Sequence, residues 1–305
     1  MAVERVGVVL VSWHSGDTLA PCLASLPASA EVVVVDNAGE AGFAERLERL
    51  RPGTRLLVPG RNLGFGRACN LGVADLATEF VLLLNPDARL EPGALALLVE
   101  VLRDDPSLAA VGPAVAAAEG GWERTWGEDP SFFAEWRERR RGRTTANRPT
   151  ASRHVPWLSG CCVLLRRAVF EEVGGFDPGY FLYYEDADLG RRMRYAGFRL
   201  CLWPTAGAWH GRGASTGRLG MGLDWYRRQS QVRYYRKFNG PLDRLALALR
   251  LAMVLLPRCL HGPDAAHGRA LLRRLIGTRV EVAEADFPGL DHGLQEVTSA
   301  SRRAM

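Results

Sequence analysis

The chain has 305 residues, 47% hydrophobic and 24% charged, with a formal net charge of +5 carried mainly by arginine. That excludes a disordered or fibrous chain, gives room for one large or two small domains with a real core, and offers no stretch of the ~20 apolar residues that a membrane-crossing helix needs. The cysteines Cys22, Cys69, Cys161, Cys162, Cys201 and Cys259 form no C-x-x-C pair, so they read as buried reduced thiols, and a start that runs straight into a strand without a signal peptide points to a cytoplasmic protein.

Val6 to Val11 predicts a buried strand. The loop Ser12 to Asp17 follows, then a helix with Leu19, Leu23 and Leu26 on one face. A second strand, Val32 to Val35, ends in Asp36-Asn37-Ala38-Gly39, and Arg55 to Val58 is a short third. Gly60 to Asn70 is a glycine-rich loop opening a helix to about Ala77. Phe80 to Leu84 is apolar at every position, the pattern of a strand buried on both faces, and it stops at Asn85-Pro86-Asp87 because proline has no N–H for the ladder. Pro92 suits the first turn of a helix ending near Arg103, and Ala109 to Val115 is a fifth strand. Strands alternating with helices at this spacing argue a parallel α/β sheet.

Residues 119–152 read as an insertion, part helix and part loop, whose basic run Arg137 to Arg143 suits a solvated face before it suits a site. Trp157 to Leu165 is another strand, and Arg167 to Val173 a short helix before Gly174-Gly175-Phe176-Asp177. Glu185, Asp186 and Asp188 open a helix that Gly197 stops. Arg199 to Trp203 is a strand, with Trp209-His210-Gly211-Arg212-Gly213 as a loop beyond it. A helix from Leu223 to Phe238 mixes aromatics with arginines, the apolar segment Leu242 to Leu256 ends at Pro257, and the last twenty residues are polar and frayed.

Asp36 and Asp87 both follow parallel strands, so both carboxylates face the crevice where open α/β sheets bind ligands. Each alone is as good a helix cap as a ligand; together with a glycine-rich loop they favour a nucleotide site. That loop is neither G-x-G-x-x-G nor G-K-[ST], which argues against a dinucleotide enzyme and an NTPase. In the second acidic cluster Asp188 is placed to pair with Arg192 at i+4, while the aromatics Tyr183 and Tyr184 suggest a walled pocket in which a carboxylate becomes a better base. His210 is either structural or a metal ligand, and Trp157, Trp203 and Trp209 either stack on a sugar or belong to the core.

In their order and spacing, Asp36, the Asn62-Leu63-Gly64-Phe65-Gly66 loop, Leu84-Asn85-Pro86-Asp87, Gly174 to Asp177, Tyr184-Glu185-Asp186-x-Asp188 and His210 resemble the inverting glycosyltransferase family 2, its rhamnosyltransferase-like branch above all. The resemblance covers residues 5–240. It implies a GT-A fold: a mixed, mostly parallel sheet flanked by helices, with a nucleotide-binding half (about 1–116), an acceptor half (about 117–240) and a helical C-terminal extension (241–305). It also implies roles. Asp186 would be the base with Glu185 in support. Asp87 and His210 would hold Mg²⁺ or Mn²⁺. Ser12, Asp36, Asn62, Gly66, Asn85 and Arg212 would contact the nucleotide-sugar. Asn85 departs from the family's Asp-x-Asp metal motif, so the ion would bind weakly and mainly as a metal–nucleotide complex.

The implied partners are a nucleotide-diphosphate sugar and a saccharide acceptor, lipid-linked in many relatives; no nucleic acid is implied. Leu242, Leu245, Leu249, Met253 and Leu256 share one helical face just after Arg227, Arg228, Arg233, Arg236 and Lys237. That reads either as a peripheral contact with the cytoplasmic face of a membrane or as a helix packed on the domain. A sugar-nucleotide nucleotidyltransferase and a non-catalytic carbohydrate-binding relative are the alternatives; neither needs both acidic clusters intact.

Overall fold

Runs of valine and leucine set the centre of the sheet in the computed structural model, which describes residues 6–142, 144–211 and 221–260, with 221–223 and 255–260 by backbone alone. Strands β1 (Gly7–Ser12), β2 (Glu31–Asp36), β3 (Arg55–Leu57) and β4 (Phe80–Leu84) pair in parallel in the order β3-β2-β1-β4. Ser12 lies opposite Asp36 and Leu10 opposite Leu84, so the ends of β1, β2 and β4 come to one level. Strands β5 (Ala88–Leu90) and β6 (Leu108–Ala117) follow.

Alternate residues point to opposite faces, and each face has its own core. Val8, Leu10, Val34 and Leu82 pack under helices α1 (Leu19–Ala24), α2 (Phe43–Leu50) and α4 (Ala94–Asp104). Val9, Val33, Val81 and Leu83 pack under α3 (Phe65–Ala74), α6 (Arg167–Glu172) and α7 (Glu185–Tyr195). Helix α2 has Phe43 and Leu47 buried one turn apart and is not among the predicted elements. Helix α4 starts at Ala94 after a left-handed Gly93, so Pro92 lies before the helix and not in its first turn.

The insertion folds into β7 (Trp122–Glu123), β8 (Trp126–Gly127), α5 (Phe132–Arg141) and β9 (Thr144–Thr145), with β10 (Arg153–His154) at the sheet edge. The segment expected as one strand from Trp157 to Leu165 is two. β11 (Trp157–Leu158) pairs with β8 in a small second sheet, and β12 (Cys162–Arg166) runs antiparallel between β4 and β6. The break falls at Gly160, where a Cβ would stand 2.5 Å from the Phe65 ring.

The strand expected to end at Trp203 runs on as β13 (Arg199–His210), parallel to β6, with a register shift between Trp203 and Gly207. His210 is therefore the last residue of a strand, opposite Ala88 of β5 and Ala117 of β6, and not part of a loop. The chain divides into two units, Met1–Val254 and Leu255–Met305. The first takes in α8 (Met221–Phe238) and most of α9 (Pro241–Leu260), a helix that does not stop at Pro257. Leu247 and Leu251 of α9 are buried, whereas Leu242 and Met253 are 83% and 70% exposed. Cys22, Cys69, Cys161, Cys162 and Cys201 are free and buried, and Arg212, the Cys259 side chain and the polar tail lie outside the described residues.

Gly64 caps α3 with φ at +78°, and a Cβ there would meet the Phe181 carbonyl oxygen at 2.2 Å. The Phe65 N–H donates to that same oxygen at 3.0 Å, tying the glycine loop to the segment before α7. Gly64→Ala is expected to cost about 2–3 kcal/mol and to lower the thermal unfolding midpoint by roughly 5–10 °C, read by circular dichroism; an unchanged midpoint would mean that the loop is free to move.

Candidate active site

At the end of β2 the Asp36 carboxylate is buried, and its two oxygens accept the N–H groups of Ala38 (3.0 Å) and Glu40 (2.9 Å). It shapes its own loop, and each oxygen retains a lone pair. Ser12 is buried and its hydroxyl donates to Ser15 Oγ at 3.0 Å. Asn62 Oδ1 accepts the Gly64 N–H at 2.8 Å. Gly66 is buried in α3 beneath Phe176, where a Cβ would come within 2.9 Å of the Phe176 Cβ. Asn37, which the sequence reading passed over, joins these pieces: its amide donates to Gly64 O at 2.9 Å and accepts from Leu63 N at 3.3 Å.

Asn85 and Asp87 follow β4, and β13 brings His210 to them. His210 Nε2 is 3.2 Å from Asp87 Oδ1 and 3.2 Å from Asn85 Nδ2, and the Gly211 N–H donates to Asp87 O at 2.7 Å. On the other side of the ring, Nδ1 lies 3.2 Å from Oε2 of Glu123, which sequence reasoning missed because nothing local sets it apart from the other acids of the insertion. Burial opposes charge on His210, but the hydrogen bonds to Asp87 and Glu123 outweigh it and raise the imidazole to about 9.

A separation of 3.2 Å between Asp87 Oδ1 and His210 Nε2 is that of neighbouring ligands on one ion, whose bonds are about 2.1 Å long. Among the described residues no three His, Cys, Asp or Glu side chains form a complete cage. The donor set thus fits an ion that takes its remaining ligands from phosphate and water.

The second cluster opens α7. Tyr183 and Tyr184 precede it with φ of 70° and 68°, a left-handed pair costing about 1–3 kcal/mol each. The Tyr184 hydroxyl is anchored to Glu135 Oε1 at 2.7 Å. Glu135, also missed, is buried on α5 and accepts from Gln231 at 2.6 and 2.8 Å and from Arg250 at 2.9 Å, so α5, α8 and α9 all brace the turn before Glu185.

The three acids have different fates. Glu185 is buried with Oε2 unpartnered, and burial followed by the neighbouring Asp186 charge pushes it well above the ordinary glutamate value. Asp186 is partly exposed, accepts the Ala187 N–H at 2.8 Å, and is raised by desolvation to about 6. Asp188 is fully buried and structural: it binds Arg192 at 2.5 Å, as the spacing predicted, together with Lys237 at 2.6 Å and Tyr180 at 3.1 Å. Asp177 binds Arg233 and Lys237, each at 2.8 Å.

Cys161 ties the clusters together. Its carbonyl accepts the Asn85 N–H at 2.9 Å, and the N–H of neighbouring Gly160 reaches Asp186. Burial pushes its thiol up to about 12 against the Ser159 hydrogen bond, and the charges of Glu123, Asp186 and Asp87 add to the rise. A cleft of about 420 Å³ beside α4, lined by Asp104, His154 and Trp203, lies at the other end of β13 and is no part of this group. Trp157 donates to Glu128 O at 2.9 Å, and Arg89 covers the Trp209 ring at 4.2 Å.

The family model described as Glycosyl transferase family 2 matches residues 7–174, and one described as N-terminal domain of galactosyltransferase matches residues 140–210. The chain is 34% identical over 237 residues to an N-acetylglucosaminyl-diphospho-decaprenol L-rhamnosyltransferase of Mycobacterium tuberculosis, covering 69% of this chain and 77% of that one. Among solved structures it resembles GalNAc-T7 with UDP, GalNAc and Mn²⁺ (TM-score 0.63, 17% identity, 90% of this chain but only 54% of the other). It also resembles the mannosyltransferase PcManGT of Pyrobaculum calidifontis with GDP-Man and Mn²⁺ (TM-score 0.55, 19% identity, 90% and 81%). The fold is that of the GT-A glycosyltransferases.

Asp188→Ala is expected to destabilise the protein by about 3–5 kcal/mol, since it breaks a pair whose carboxylate is fully buried and leaves Arg192, Lys237 and the buried Tyr180 hydroxyl without it, with Asp188→Asn milder. Urea denaturation measures this; a loss below 1 kcal/mol would make Asp188 a surface-like pair.

Proposed function

The chain belongs to glycosyl transferase family 2, and from that membership we propose an inverting hexosyl transfer, with a deoxyhexose such as rhamnose as donor sugar, a nucleoside diphosphate as leaving group and a saccharide hydroxyl as acceptor. The observation that supports it is that the adjacent residues Gly160 and Cys161 hold Asp186 and Asn85, and that Asp87 and His210 pair beside Asn85. The domain would divide at about residue 116 into donor and acceptor halves.

Asp186 accepts the acceptor hydroxyl proton as that oxygen attacks the anomeric carbon. The nucleoside diphosphate departs from the opposite face, which inverts the configuration and needs no covalent nucleophile on the enzyme. Glu185, pushed well above the ordinary glutamate value, leaves Asp186 as the charged member of the pair. Asp36, with its free lone pairs, and the loop shaped by Ser12, Asn62 and Gly66 receive the nucleoside. Asp87 and His210 would hold Mn²⁺ or Mg²⁺, and the nitrogen in that set favours Mn²⁺. The chemistry such an ion supplies when bound is positive charge beside the departing diphosphate.

The M. tuberculosis relative is named for a lipid-linked acceptor. We take the same acceptor class for this chain, in cell-wall or surface polysaccharide synthesis at the cytoplasmic face of the membrane. No helix among the described residues is long and apolar enough to cross a membrane. The support for peripheral contact is instead the exposed row Leu242, Leu245, Leu249 and Met253 on α9, with exposed Phe133 and Trp136 on α5, joined through the Phe132 N–H to Asp243 at 3.2 Å. The cations of α8 contribute less than the sequence suggested, because Arg233 and Lys237 are bound inward by Asp177 and Asp188.

Release of nucleoside diphosphate from a panel of sugar nucleotides tests the reading. Asp186→Asn should lower transfer by about 10²–10⁴-fold with donor affinity kept. In the wild type, activity should fall as pH drops through about 6, because the raised Asp186 must be ionised to act. Transfer within tenfold of wild type would put the base elsewhere. For the surface, full-length protein should float with anionic liposomes at low salt, and Leu245→Asp/Leu249→Asp should abolish flotation; flotation unchanged by that pair would remove α9 from the contact.

A further inference from the structure

Two strand ends flank β6. Glu123 of β7 lies opposite Val115, and His210 of β13 lies opposite Ala117, so the two side chains meet across the end of β6. A two-residue strand has little stability of its own. This one is held by β6 on one side and β9 on the other, with Arg148 over the Trp122 ring at 4.8 Å. The scaffold thus carries a carboxylate into a buried position, which is unfavourable unless a partner is waiting. That partner is Nδ1 of His210, at 3.2 Å from Oε2.

We infer that Glu123 is a positioning residue for His210: by accepting from Nδ1–H it fixes the ring and its tautomer, so that the lone pair of Nε2 is turned toward Asp87. The inference rests on the proposed ion site at Asp87 and His210. Once an ion takes the place of the proton on Nε2, the imidazole keeps a single N–H, and an ionised carboxylate can only accept. The hydrogen bond at Nδ1 therefore decides which nitrogen is left to a cation. Asn85 and Asp87, each 3.2 Å from Nε2, mark where that cation would lie. A purely structural account, in which Glu123 and His210 only pin β7 to β13, predicts lost stability and nothing else.

The experiment titrates Mn²⁺ into the full-length chain, alone and with UDP, GDP or dTDP, and reads free Mn²⁺ by electron paramagnetic resonance. Thermal unfolding is followed in parallel. Glu123→Ala should weaken Mn²⁺ binding by about 10–100-fold. Glu123→Gln, which keeps a neutral acceptor of nearly the same shape, should weaken it less, and His210→Ala at least as much as Glu123→Ala. Mn²⁺ affinity within twofold of wild type in folded Glu123→Ala, while His210→Ala loses it, would overturn the inference and leave the ion site standing. No Mn²⁺ binding by the wild type in any arm would overturn the ion site itself. If Glu123→Ala does not fold, Glu123→Gln decides: affinity equal to wild type counts against the inference, and a reduced affinity at an unchanged melting temperature counts for it.

Discussion

Strand β12 lies antiparallel between two strands that run the other way, and the site follows from that placement. Its entry at Gly160-Cys161 comes to the carboxyl end of β4, where the Cys161 carbonyl takes the Asn85 N–H and Gly160 reaches Asp186. Gly160 allows the approach because the Phe65 ring occupies the place of a side chain. Phe65 opens the helix whose cap, Gly64, is held by Phe181, so the glycine loop, the strand entry and the segment before α7 form one continuous contact.

Electrostatics then assigns the work. Asp177 is drawn down to about 2: Lys237, the Gly179 N–H and Arg233 overcome its burial. Asp188 sits in the same cationic nest, and these two are structural. Glu123 and Asp87 share His210 between them. Glu185 leaves Oε2 unpartnered and is pushed up by burial and by Asp186. Asp186 alone combines partial exposure, backbone support and a pKa raised into the range where a carboxylate accepts protons near neutrality. Six carboxylates in one region thus do different things because their neighbours differ.

The parts legible in the sequence were those fixed by local pattern. Val and Leu runs announced β1, β2 and β4, the proline after Asn85 announced the strand end at Asp87, and the i,i+4 spacing announced Asp188 with Arg192. What escaped depended on partners distant in the chain. Pro204-Thr205-Ala206 reads as the end of a strand, yet β6 carries β13 across that irregularity to His210. Glu123 and Glu135 look like ordinary surface acids until β6 and α8 bury them. Arg233 and Lys237 of α8 looked lipid-facing because their partners, Asp177 and Asp188, lie 49 to 60 residues earlier.

The most direct test of the account is a crystal structure of the protein with Mn²⁺ and a nucleoside diphosphate, with the ion located by its anomalous scattering. The account predicts the anomalous peak at Asp87 and His210, with the diphosphate beside it and Asp186 facing the same crevice. An ion bound away from Asp87 and His210, or a nucleotide seated in the cleft beside α4, would contradict it.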